Sequence, residues 1–245
     1  MRLTKGIVTG YPVWSPDGQF IVFQSAGGMH WTRADGAGKP QPLTKTKSMQ
    51  LPTSFTPDGK WLVFSELTSE GGGEIRTAPV ASSSDQMRAG DPHLFLRTST
   101  TNVFPAFSPD GRWLAFADSP AGTYEVYVRA FPDNGTQVQI SNAGGTLPVW
   151  SRNGHELFYR TEDNRIMVAN YTVKGGAFVV DVPRVWFGRQ LANIGLGVNF
   201  DLAPDGRRFV ALMPAESPEP RETQSHLTLV VNFFDEVRRH VGAWK

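Results

Sequence analysis

The chain has no cysteine. Disulfides, thiolate metal centres, iron–sulfur clusters and cysteine nucleophiles are therefore excluded together. Charge of one sign is lacking as well. Twenty-four Lys and Arg stand against 23 Asp and Glu, a formal net charge of +1, so no strong global field draws in nucleic acid or acidic lipid. No apolar run approaches the roughly 18–20 residues that span a bilayer. No apolar core of a secretory signal is read between Met1 and Pro12. What the 245 residues do hold is 25 Gly, 18 Pro and 11% aromatic side chains, a composition suited to many short strands joined by tight turns.

Five segments repeat one pattern: Pro12–Gly18, Ser54–Gly59, Pro105–Gly111, Pro148–Gly154 and Asp201–Gly206. The turn residue before each glycine is Asp17, Asp58, Asp110, Asn153 and Asp205, at separations of 41, 52, 43 and 52 residues. Three positions earlier stand Trp14, Phe55, Phe107, Trp150 and Leu202. Six positions later Phe23, Phe64, Phe116 and Tyr159 agree, and Ala211 departs. Asp-Gly or Asn-Gly between apolar stretches is the strongest short hairpin signal, because glycine accepts the positive φ the turn needs. Proline just before it presets φ and removes an unwanted donor. Each unit then continues with a second strand apolar on both faces (Phe20–Phe23, Trp61–Phe64, Trp113–Phe116), which must be covered on both sides.

Third strands follow at His30–Arg33, Glu74–Thr77, Tyr124–Val128, Arg165–Val168 and Leu227–Phe233, and fourth strands at Gln41–Thr44, Leu94–Arg97, Gln137–Ile140 and Val185–Phe187. Four short strands every 40–50 residues or so is the content of a β-propeller blade. The fold class is thus all-β, a propeller of four-stranded antiparallel blades at about 11–44, 51–97, 103–140, 146–187 and 197–232. The aromatics three before and six after the turn acid, Trp14, Phe55, Phe107 and Trp150 among them, are expected to fill the contacts between blades. Residues 233–245 read as a short amphipathic helix and tail, with apolar residues at 233, 234, 237 and 241. Arg2–Thr4 matches a fourth strand with no blade before it. It closes a five-bladed ring, or the chain is the C-terminal part of a six- to eight-bladed one; the sequence leaves both open.

The pattern P-x-W-S-P-D-G-x-x-[ILF]-x-F resembles the repeat of TolB-like β-propellers, relatives in shape of WD-repeat proteins, over about Arg2 to Asn232. The stretch His226–Arg239 is similar to the ending of propellers that lie behind bacterial serine/threonine kinase domains, beyond a membrane-spanning segment. That resemblance implies a sensory or scaffold part of a larger bacterial protein, periplasmic or extracytoplasmic, without direct membrane insertion. The chain itself carries no kinase motif and no Gly-x-Ser-x-Gly elbow of the hydrolases that also use such propellers.

Other chemistry is thinly represented. The five histidines share no metal-ligand spacing, so no metal, and no cofactor, is read from the sequence. Gly195-Leu-Gly197 leads into a strand instead of a helix, and Phe131–Gly135 brings too few oxygens for a cation. The repeated acids sit in turns, where tying down backbone accounts for them; glycoside cleavage needs two acids converging on one bond. No catalytic residue is assigned, and the leading reading is a monomeric, non-enzymatic propeller that binds a protein or peptide. The alternative is a glycosidase, lyase or lactonase with a site in the channel. Binding is expected on the face of the variable second-to-third-strand loops, with Tyr11, Gln50, Asn102, Thr146 and Asn199 around the channel mouth.

Overall fold

The computed structural model describes residues 9–67, 72–98, 104–133, 135–152, 154–195, 197–203 and 208–215. The chain divides into a unit reaching Pro214 and a second of Ala215–Lys245. The second unit lies outside the described residues but for Ala215, as do Arg2–Thr4, Asn102, the third strand expected at Leu227–Phe233 and the C-terminal helix. Every described element of the first unit is a strand.

The first repeat is one antiparallel sheet in chain order, β1 (Thr9–Trp14), β2 (Phe20–Ser25), β3 (Gly28–Arg33) and β4 (Gln41–Pro42). The second holds β5 (Met49–Phe55), β6 (Trp61–Leu67), β7 (Gly73–Ser82), β8 (Met87–Ala89) and β9 (His93–Thr98). The third holds β10 (Ala106–Phe107), β11 (Trp113–Asp118), β12 (Glu125–Ala130) and β13 (Gln137–Gln139). The fourth holds β14 (Thr146–Trp150), β15 (Glu156–Arg160), β16 (Ile166–Lys174), β17 (Ala177–Val180) and β18 (Arg184–Phe187). Of the fifth, β19 (Phe200–Leu202) and β20 (Phe209–Ala211) are described.

The second and fourth repeats each carry a strand that the sequence reading did not anticipate. The third strand there is long: β7 pairs with β9 along its first half and with β8 along its second, and β16 pairs likewise with β18 and β17. These are the two repeats with the 52-residue spacing; the surplus over the shorter units is one added hairpin. The turn into β17 is Gly175-Gly176, both at positive φ (+56° and +81°), the pair a two-residue hairpin favours. The added strands reach back toward the preceding blade. Phe178 packs on Trp113 and Trp150, with ring centroids 5.1 and 6.0 Å apart, and Met87 joins the cluster shared with the first repeat.

Side-chain alternation splits each second strand between two neighbours. Leu62 and Phe64 pack with Phe20 and Val22 of the first repeat, whereas Val63 packs with Phe107, Leu114 and Phe116 of the third. Leu157 and Tyr159 face Trp113 and Ala115 of the third repeat, and Phe158 faces Phe200 and Phe209 of the fifth. Both faces of a central strand are thus filled by adjacent sheets, as its apolar sequence requires.

The aromatic three before the turn residue meets the preceding blade in the second, third and fourth repeats. Phe55, Phe107 and Trp150 are buried in that way, at 8%, 6% and 7% exposure. Trp14 is not; it is 58% exposed, which corrects its assignment to the core. It belongs to the first repeat, and no described blade precedes it.

Candidate functional site

The first strands of the repeats are neighbours, β1 beside β5, β5 beside β10 and β10 beside β14. Together with the start of the fifth repeat they line an open cavity of about 900 Å3, within the range of ligand sites. Its wall follows the repeat register. Four positions before the turn residue stand Val13, Ser54, Ala106, Val149 and Asp201. One position before it stand Pro16, Pro57, Pro109 and Arg152. The same lining holds Trp14, exposed to the cavity.

The strand starts are bent. Tyr11, Phe104 and Leu147 each precede a proline and each adopt positive φ, +52°, +40° and +51°. For bulky residues this is a sparsely populated conformation that the surroundings must impose. The pairing register slips between Gly10 and Val13 and between Thr146 and Val149, so these are bulges. In the second repeat Pro52 takes this position and cannot follow, yet the register slips there too. Side chains stitch the strands around the wall. The Thr53 hydroxyl donates to Pro105 O (2.6 Å), the Phe107 N–H donates to Ser54 Oγ (3.2 Å), and the Trp150 indole donates to Ala106 O (2.9 Å).

At the turn end the repeated acids act on their own backbone. Ser15 O accepts from the Gly18 N–H, while Asp17 Oδ1 accepts from the Ser15 hydroxyl (2.6 Å) and the Gln19 N–H (3.0 Å). Asp58 does the same with Thr56 and Lys60, and Asp110 with Ser108 and Arg112. Gly18, Gly59, Gly111 and Gly154 sit at φ between +70° and +74°, where a Cβ would be strained. The hydroxyl bonds, then the N–H bonds, hold Asp17 and Asp58 below their usual 3.8. A lowered carboxyl stabilises the fold fully above its unfolded value, and that contribution is lost as pH falls through the folded one. Thermal melts are therefore expected to drop below pH about 4, and Asp17→Asn with Asp58→Asn should flatten that drop by a few degrees. An unchanged acid limb would contradict the assignment.

Of the residues expected around the mouth, the structure brings Tyr11 to the cavity. Gln50 is buried, accepting from the Thr44 hydroxyl (2.6 Å) and donating to Glu66 (3.4 Å). Thr146 donates weakly to Arg160 O (3.4 Å) and lies behind the wall. Asn199 is buried, its amide donating to Ala192 O (3.0 Å) and its Oδ1 unpartnered. Asn102 lies outside the described residues. Polar partners explain the difference: Gln50 and Asn199 are drawn into buried hydrogen bonds, whereas Tyr11 lies in a bulge that leaves its ring on the cavity.

Sequence reasoning missed Trp14, Arg152 and Asp201. The signal was departure from the repeat: arginine where the four other turns have proline, and aspartate where four strands have Val, Ser or Ala. Asp201 opens on the cavity's water but is walled by protein on its other sides. That desolvation raises its carboxyl, against the Leu202 N–H (2.8 Å) and the charge of Arg152, which lower it. Among the described residues neither Arg152 nor Asp201 makes a salt bridge, and no cluster of three or more His, Asp or Glu could hold a metal ion. Phe131–Gly135, considered above for a cation, is a turn in which Asp133 pairs with Arg129 (3.1 Å) and accepts from the Gly135 N–H.

No protein-family model and no curated protein matches the chain. Solved structures do. TolB from Acinetobacter baumannii is 21% identical, with a TM-score of 0.52 over 72% of this chain and 44% of that one. The fold is that of a TolB-like β-propeller. A puromycin-hydrolysing peptidase from Mycobacterium tuberculosis aligns at 17% identity and a TM-score of 0.50, over 71% of this chain and 31% of that one. A candidate 6-phosphogluconolactonase from Bacteroides fragilis aligns at 15% and 0.50, over 73% and 55%. At these identities the likeness is one of fold. The chain spans less than half the length of the TolB it matches. No described helix is long and apolar enough to cross a membrane.

Proposed function

We propose that this TolB-like propeller is a non-enzymatic binding module whose channel captures an extended peptide segment of a partner protein. A sensory or scaffold part in a larger, extracytoplasmic bacterial protein, such as a membrane-anchored serine/threonine kinase, is the setting that goes with this reading. The observation that carries it is the cavity lined by the first strands of consecutive repeats, with the Tyr11 and Trp14 rings on its wall. An aromatic there offers roughly 1.5–3 kcal/mol of burial to whatever covers it. Prolines 12, 52, 105 and 148 remove N–H groups from the strands that line the channel. Strand addition by main-chain pairing is thereby blunted, and recognition falls to side chains: Trp14, Tyr11 and the two charged residues. The single carboxylate of the described lining, Asp201, favours binding over glycoside cleavage, which uses two.

The test is selection of a random-peptide display library on the purified chain, then titration of a selected peptide. Trp14→Ala and Tyr11→Ala are each expected to weaken binding about tenfold or more, the equivalent of roughly 1.4 kcal/mol, with melting temperatures within about 2 °C of the parent. Selection of no peptide, or equal affinity in both variants, would overturn the reading. So would turnover of a lactone or aryl glycoside that disappears in Asp201→Asn.

A further inference from the structure

Residues at matching positions of a repeat build the fold, so departures from the repeat inside the lining point to what the channel reads. Two such departures carry charge. At the position before the turn residue, four of the five repeats have proline, which presets backbone φ, and Arg152 does nothing comparable in the fourth. At the wall position filled by Val13, Ser54, Ala106 and Val149, Asp201 places an exposed carboxylate on the cavity wall. Local rules broken without structural gain are the mark of a functional site.

Arg152 and Asp201 come from consecutive repeats and line the same cavity, and among the described residues no salt bridge joins them. Two opposite charges on an otherwise uncharged, proline-rich wall favour a ligand that presents the complementary pair.

Building on the channel-binding reading above, we propose that Arg152 and Asp201 read charge together. They would select a peptide segment that carries a carboxylate next to a cationic side chain, with Trp14 supporting its apolar portion. The planar guanidinium can engage a carboxylate through two parallel bonds, and the Asp201 carboxylate can accept from an ammonium or guanidinium. The ligand carboxylate can be a side chain or a free C-terminus.

The experiment repeats the library selection on the parent chain, Arg152→Gln and Asp201→Asn, with peptides displayed both with a free and with a blocked C-terminus. Peptides selected on the parent are expected to be enriched in an acidic residue within a few positions of a basic one. Arg152→Gln should lose the acidic bias alone and Asp201→Asn the basic bias alone. A parent-selected peptide should weaken about tenfold or more in each variant, its carboxylate and cation being charge-assisted partners. Enrichment confined to free C-termini would assign the carboxylate to the chain end, and enrichment in both formats would assign it to a side chain. Selected peptides without charge bias, or a bias that both variants retain, would overturn this inference while leaving the channel-binding reading intact. Failure to select any peptide would instead overturn the channel-binding reading itself.

Discussion

Replacing Trp150 by alanine is expected to lower the melting temperature by roughly 6–20 °C. The same substitution at Trp14, its repeat equivalent, should shift it by less than about 2 °C. Trp150 is 7% exposed, packs edge-on against Tyr171 at 5.1 Å and donates its indole N–H to Ala106 O at 2.9 Å in the preceding repeat. Truncating such a side chain costs about 3–5 kcal/mol through lost transfer energy and the cavity left behind. In a unit of this size each kcal/mol is worth about 2–4 °C. Trp14 is 58% exposed, so most of its surface is already in water and little is lost. Equal losses at the two positions would show that Trp14 is core and remove the reason for placing binding in the channel.

The second large effect is expected at Glu74. Its side chain is 6% exposed and is held by Arg76 Nη2 and Arg97 Nη1, both at 2.6 Å, while Arg76 Nε also reaches Glu66 at 2.9 Å. Gln50 and Thr44 continue the network into the first repeat. Removing Glu74 leaves Arg76 to Glu66 and Arg97 to solvent, so what is lost is the charge-assisted bonds, about 1.5–3 kcal/mol. Glu74→Ala should therefore lower the melting temperature by roughly 3–12 °C. Arg97 is 73% exposed at its side chain, and Arg97→Ala should cost about 1 kcal/mol or less, as exposed pairs do. A small effect at Glu74, measured by thermal or urea unfolding, would mean that the network is solvated and structurally idle.

The fold was legible because its determinants are local and repeated. An Asp-Gly turn, an aromatic before it and a doubly apolar strand after it recur often enough to fix strand order in four repeats. The sequence also held the reason for β8 and β17 in its unequal spacing and in Gly175-Gly176, which were passed over because only one hairpin per unit was sought. The channel mouth was less legible. Tyr11, Phe104 and Leu147 take positive φ ahead of proline, and alternation counted along the strand fails across such a bulge. Gln50 and Asn199 are instead buried by hydrogen bonds to Thr44, Glu66 and Ala192 O, which no local pattern announces. Trp14 could not be told from Trp150 by type or register; what separates them is the third repeat packed over Trp150. Arg152 and Asp201 were visible only as exceptions, after the rule they break had been assigned to packing.

Oxidative footprinting of the tryptophans, with and without a peptide selected on the channel, probes the site most directly. Free protein should be modified quickly at Trp14 and slowly at Trp31, Trp113 and Trp150, which are each 7% exposed, and bound peptide should protect Trp14. A peptide that binds tightly while Trp14 is oxidised as fast as before would place recognition elsewhere and contradict the channel assignment.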